Sequence, residues 1–171
     1  MFKSCFRFPV LCCFFFAGTI LSAAPFSAED AVKHPNYSGR WKMIKDQSDF
    51  GKFKAPDMII RVIDERDPTL NIHTLQTKNG NTTTSDVSYY INGRETTNTL
   101  GGRDAISKSF WDGPSLTIRT ETKNSKGEDT QIVDRWDLSS DGQILTIASH
   151  IETPNGEVDL KLVCEKEKTG S

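Results

Sequence analysis

The chain predicts an all-β fold, a single up-and-down antiparallel barrel of about ten strands. From Leu70 to Cys164, roughly every dozen residues, a pair tolerant of positive φ recurs: Asn79-Gly80, Asn92-Gly93, Gly101-Gly102, Asp141-Gly142 and Asn155-Gly156, the chemistry that two-residue hairpin loops require. One register, read outward from these turns, keeps a single set of residues on one face throughout. The short antiparallel connections then favour closure into a barrel, which removes free edges. A two-sheet sandwich is the alternative, but it needs long crossing connections that the spacing does not provide.

Taken in order, the chain opens with Lys3 and Arg7, the apolar run Phe8 to Leu21, and the small residues Ser22, Ala23 and Ala24. This is the pattern of a secretory signal peptide over residues 1–24. Its apolar run of about 14 residues falls short of the ~20 a membrane span needs, and no later stretch approaches that length, so no membrane insertion is expected after cleavage. Of the 4 Cys, Cys5, Cys12 and Cys13 lie within this segment and only Cys164 follows it. No intramolecular disulfide is then available, and the fold must rest on core burial. Without residues 1–24, Lys+Arg falls from 21 to 19 against 23 Asp+Glu, and the formal charge moves from −2 to about −4. A mildly acidic surface without basic runs argues against nucleic acid and against anionic membranes. Residues 25–36, with Pro25 and Pro35, read as a flexible leader, 37–166 as the barrel domain and 167–171 as a disordered tail. The expected location is secreted or periplasmic.

The strands follow. Ser38 to Asp46 and Met58 to Asp64 precede the meander, with Trp41 and Met43 sharing a face in the first and Ile60 and Val62 facing inward in the second. Gln47 to Phe53 allows at most a turn or two of helix. Closing the chain at Asn79-Gly80 sets Leu70 against Tyr89 and Ile72 against Val87. Asn92-Gly93 sets Tyr89 against Thr96 and Val87 against Asn98, and Gly101-Gly102 sets Asn98 against Ala105. The Asp112 to Ser115 turn sets Trp111 against Leu116, and Ser125-Lys126-Gly127 sets Ile118 against Asp134. Asp141-Gly142 sets Trp136 against Ile147, and Asn155-Gly156 sets Ile151 against Leu160. Opposed residues share a face, and a slip of one residue would invert every side chain. The other face carries Asn71, His73, Thr117, Arg119, Glu121, Asp137, Glu157, Asp159 and Lys161, a water-facing set.

The inward face is not uniformly apolar. Tyr89, Trp111 and Trp136 share it with Asn98, Ser107, Ser109, Thr120, Asp134 and Ser149. Unpaired buried hydroxyls and amides cost about 1–3 kcal/mol each, so such a lining is cheap where water or a ligand reaches it. These residues are the candidate lumen of a site for one small amphipathic or hydrophobic molecule. The alternative is a filled barrel in which small polar residues fit the taper and trapped waters satisfy them. Asp134, between Ile132 and Trp136, is expected to receive a ligand's amine or hydroxyl, or else to cap backbone amides or meet a cation near the rim. His34, His73 and His150 are far apart in the register and give no metal site. No nucleophile, phosphate loop or cofactor motif is present, so neither an enzyme nor a cofactor is expected.

Gly39-Arg40-Trp41 at the start of the first strand resembles the Gly-x-Trp signature of the lipocalins and wider calycin barrels. Ser48-Asp49-Phe50-Gly51, Ala55-Pro56-Asp57 and Asp134-Arg135-Trp136-Asp137-Leu138-Ser139 look like a group of secreted bacterial lipocalin-like proteins of uncharacterised role. The resemblance implies a barrel over a hydrophobic cavity, with Gly39 and Trp41 as the structural signature and Trp41 plugging the closed end. Lipocalins stack an Arg on that Trp, a place for which this chain offers Lys161 or Lys166. Fatty-acid-binding barrels carry a two-helix lid after the first strand, for which Asp46 to Asp57 is too short. The second functional reading is a protein-interaction or inhibitor barrel working through an exterior patch around Ile59, Ile63 and Phe110. Oligomeric state is not read from these patterns.

Overall fold

The computed structural model describes residues 34–168; the segment read as a signal peptide (1–24), most of the leader and residues 169–171 of the tail lie outside them. Ten strands follow one another: β1 (Gly39–Met43), β2 (Met58–Arg66), β3 (Thr69–Lys78), β4 (Asn81–Tyr90), β5 (Glu95–Leu100), β6 (Arg103–Asp112), β7 (Ser115–Lys123), β8 (Asp129–Leu138), β9 (Ile144–Thr153) and β10 (Gly156–Lys166). They form one sheet in the order β4-β3-β2-β1-β10-β9-β8-β7-β6-β5. It curls into a nearly closed antiparallel barrel, the fold class read from the sequence. No helix among the described residues is long and apolar enough to cross a membrane.

Turn chemistry sets most of the register. At Asn79-Gly80 both residues hold positive φ, 51° and 74°, the geometry whose twist matches that of flanking strands. The resulting ladder pairs Leu70 with Tyr89 and Ile72 with Val87. Trp111 meets Leu116, Ile118 meets Asp134 and Trp136 meets Ile147, all as the turns dictate. The β9–β10 hairpin differs by two residues: Thr153 pairs with Gly156 and Ile151 with Val158, so the loop is Pro154-Asn155. A shift of two preserves the side-chain faces.

β1 ends sooner than the sequence suggests. Lys45–Gln47 turn as a short 3-10 segment, and pairing with β10 resumes in an isolated bridge between Asp49 and Lys161. On this excursion Ser48 Oγ accepts from the Val163 amide at 3.0 Å and the Ile44 amide donates to the Val163 carbonyl at 2.8 Å. Thr117, expected to face water, is buried between its cross-strand neighbours Phe110 and Arg135.

β2 corrects a facing assignment. Ile63 pairs with Ile72, Arg61 with Thr74 and Ile59 with Gln76, so Ile59, Arg61 and Ile63 face inward and Ile60 and Val62 face out. Val62 is 40% exposed, whereas Ile59 and Ile63 are buried. With Ile59, Ile60, Val62 and Ile63 all apolar, alternation along β2 reads equally well in either phase; the ladder with β3 decides. The exterior patch built on Ile59 and Ile63 therefore does not exist, although Phe110 is 39% exposed.

Closure between β4 and β5 is the second correction. The expected ladder of Tyr89 with Thr96 and Val87 with Asn98 is not formed, and β4 and β5 are the two ends of the sheet order. Side chains bridge them instead. Asn98 Oδ1 accepts from the Ser88 amide at 2.9 Å, Asn98 Nδ2 donates to the Ser88 carbonyl at 2.9 Å, and Thr96 Oγ1 accepts from the Tyr90 amide at 3.0 Å.

The apolar core gathers at one end, where Tyr37, Trp41, Leu70, Leu116 and Trp136 pack together. Tyr37 ties this end: its hydroxyl donates to the Trp136 carbonyl at 2.9 Å, and its own carbonyl accepts from the Trp41 indole at 2.9 Å. Trp41 is wholly buried, with the Lys166 ammonium 5.1 Å from its ring centroid. Gly39 (φ 147°) leaves the space for that lysine, because a Cβ there would lie 2.5 Å from Lys166 Cε. Of the leader, His34 is stacked on Trp111 at 4.1 Å between ring centroids.

Two outcomes are expected. Gly39→Ala should lower stability by about 1–2 kcal/mol through backbone strain, measured by urea denaturation. The double variant Thr96→Val/Asn98→Leu should accelerate amide exchange at Ser88 and Tyr90 about tenfold or more relative to β8 and β9. Equal acceleration everywhere would show that side chains do not hold the seam.

Candidate functional site

Away from the packed end, the inward residues change character, and a cavity of about 240 Å³ remains inside the barrel. Arg61, Ile72, Tyr89, Asp134 and Trp136 line it together with Thr74, Gln76, Ser85, Val87 and Leu100. β2, β3, β4, β5 and β8 thus each contribute, and β3 and β4 supply the short polar side chains that leave the space open.

The residues singled out from the sequence divide into two groups. Tyr89, Asp134 and Trp136 meet at the cavity, and Ser149 stands behind Asp134, its hydroxyl donating to Asp134 Oδ1. Asn98, Ser107, Ser109, Trp111 and Thr120 do not line it. Asn98 is engaged in the β4–β5 seam. Ser107 and Thr120 satisfy each other through a buried hydroxyl pair at 2.8 Å. Ser109 is buried with its hydroxyl unpartnered, and Trp111 is sandwiched near His34 and Tyr37 at the packed end.

Arg61 is the cavity-lining residue that sequence reasoning missed, a direct result of the inverted phase of β2. Its guanidinium carbon lies 5.8 Å from the Trp136 ring centroid. The missing counter-charge for an inward Asp134 was the available signal, since a carboxylate in a barrel interior demands one. The two do not close on each other: Asp134 takes its bond from Ser149, while Arg61 Nε is buried with no partner. Trp136 Nε1 is likewise buried and unpartnered. Both N–H groups are closed off and unpartnered, while Arg61 and Asp134 line the same cavity.

Burial dominates the electrostatics. It raises the Asp134 pKa above the ordinary carboxylate range, with the Ser149 bond and the Arg61 charge acting in the opposite direction. Burial also pushes the Tyr89 phenol up to about 12, reinforced by Asp134, so Tyr89 stays a neutral donor and acceptor. At the packed end, burial raises the Glu65 carboxyl although the Tyr37 amide donates to it, and lifts the Cys164 thiol to about 11. That thiol is buried and free.

On the outer face, His150 is less isolated than the sequence suggests. The β9–β10 ladder brings Asp159 opposite it and Glu157 opposite Glu152, and ligand-type atoms of His150, Glu152 and Glu157 lie within 4.8 Å of one another. Its Nδ1 is 2.7 Å from Asp159 Oδ1, the contact that contributes most to raising the imidazole pKa. This is an exposed histidine–carboxylate network.

No family model and no curated protein matches the sequence. Solved structures do share the fold. A secretory abundant heat soluble protein from Ramazzottius varieornatus aligns over 77% of this chain and 95% of its own, with TM-score 0.53 and 15% identity. Zebrafish ileal bile acid-binding protein, solved with cholic acid, aligns over 77% and 98% with TM-score 0.52 and 16% identity. Apo lipid binding protein 8 of Caenorhabditis elegans aligns over 77% and 95% with TM-score 0.54 and 11% identity. At such identities the likeness shows the antiparallel β-barrel fold and nothing finer.

The carboxyl of Asp134 supplies a test by pH. A raised folded pKa means that the fold prefers the protonated form; the associated stability is fully present below the unfolded pKa and is lost as pH rises through the folded pKa. Asp134→Asn holds the uncharged state permanently. It should be more stable than the native chain at neutral pH, with the advantage vanishing in acid, as read from urea midpoints across the two ranges. A loss of stability at neutral pH would mean that ionised Asp134 is well compensated.

Proposed function

We propose that this protein is a secreted binding barrel that holds one small amphipathic or hydrophobic molecule in its lumen. The observation that carries this reading is the cavity inside the barrel whose lining brings Arg61, Asp134, Tyr89 and Trp136 together. A guanidinium, a carboxyl and a phenol gathered in a partly apolar lining offer partners for the polar end of a bound molecule. Ile72, Val87 and Leu100 offer the apolar surface for the rest of it.

Two barrels of this fold are a bile acid-binding protein solved with cholic acid and a lipid binding protein, which is in keeping with carriage of a lipid-like molecule. The role is binding and not catalysis. Secretion rests on the N-terminal pattern of Lys3, Arg7 and the apolar run after them, and a bacterial envelope protein on the motifs quoted above. An exterior interaction surface is the second reading, favoured by Ile106 and Phe110, 44% and 39% exposed on the outer face of β6.

Organic extraction of the natively purified protein followed by mass spectrometry tests the first reading. The expected result is a stoichiometric amphiphile released from the native chain and absent from Thr74→Phe, whose ring fills the cavity. A fully occupied Thr74→Phe variant would place the molecule elsewhere, and an empty native protein that also fails to displace an apolar dye would overturn the reading.

A further inference from the structure

The cavity floor carries more information than the presence of a ligand. Arg61 and Asp134 are the charged residues among those lining it, one of each sign, so the floor is close to neutral when both are ionised. They share the space without closing into a pair. Asp134 is held from behind by Ser149, and Arg61 leans over Trp136 with Nε unpartnered. A cavity of about 240 Å³ gives a ligand's polar end no place near one charge and far from the other.

Three head groups can be compared. A carboxylate gains Arg61 but meets the like charge of Asp134, and it must shed its own hydration on the way in. An ammonium gains Asp134 and meets Arg61, with the same penalty. A hydroxyl has neither conflict: its lone pairs accept from the Arg61 guanidinium while its proton goes to Asp134, and Tyr89 stands by as a further neutral partner. The guanidinium then meets an acceptor and the carboxylate a donor.

Resting on the lumen as the ligand site, we infer that the barrel selects an uncharged amphiphile whose head both donates and accepts a hydrogen bond, an alcohol in the simplest case, over the matching acid or amine. Specificity is a difference of affinities, and here the like charge rejecting each wrong head group is already built in. Asp134 and Arg61 act as paired filters, each excluding the ion that the other would welcome.

Titration of the full chain with 1-decanol, decanoate and decylamine at neutral pH, followed by tryptophan fluorescence, tests the inference. Decanol should bind about tenfold or more tightly than either ion, a difference of about 1.4 kcal/mol. Asp134→Asn should turn the preference toward decanoate, and Arg61→Gln toward decylamine. Decanoate or decylamine binding the native chain as well as decanol would overturn the inference while leaving the lumen site standing, and so would two folded variants that keep the native order. Binding of none of the three would remove the lumen site and this inference together. The native order decides even if a variant does not fold.

Discussion

Tyr37 is the point at which the chain is fastened into its own barrel. It is wholly buried, and three of its groups are used at once: the amide donates to Glu65 at 2.7 Å, the carbonyl accepts from Trp41 and the hydroxyl donates to the Trp136 carbonyl. Those bonds join Tyr37, two residues before β1, to β1, β2 and β8. They set the Tyr37 ring edge to face with Trp136, 5.6 Å apart at 81°. Large aromatic area is thereby concentrated at one end. What space the barrel retains must then lie toward the other, which is where Thr74, Gln76 and Ser85 line the cavity.

The same tie explains why the site combines apolar and charged character. Trp136 belongs both to the packed end and to the cavity, so its indole is a shared wall. Arg61 gains a flat aromatic face to lie on, which suits a weakly hydrated guanidinium. Asp134, two residues before Trp136 on the same strand, is carried to the same face by the pleat. One strand thus places a wall and an acid, and β2 faces them with a base.

Legibility in the sequence follows the turns. Wherever a tight turn with positive φ joined two strands, pairing could be read residue by residue, as from Trp111 to Ile147. Across Asn155-Gly156 the turn chemistry admitted two loops and the structure uses the one ending before Gly156. β2 lacks any such hairpin to β1, and apolar residues on both sides of Arg61 conceal its phase, so the relation of Arg61 to Asp134 was invisible. Asn92-Gly93 has a hairpin signature, yet β4 and β5 part beyond it because barrel geometry sets the spacing of the final pair of strands. Asp134, Tyr89 and Trp136 emerged from alternation alone, whereas Ser107 and Thr120 could not be separated from them without knowing that they bond to each other.

The seam held by Asn98 and Thr96 has an evolutionary consequence. A ladder of backbone bonds survives almost any substitution, because the peptide group is common to every residue; this juncture is written in two replaceable side chains. A single codon change can therefore uncover the flanks of β4 and β5, and bare strand flanks recruit other chains into aggregates. Selection at Asn98 and Thr96 would then act on solubility as strongly as on any cargo.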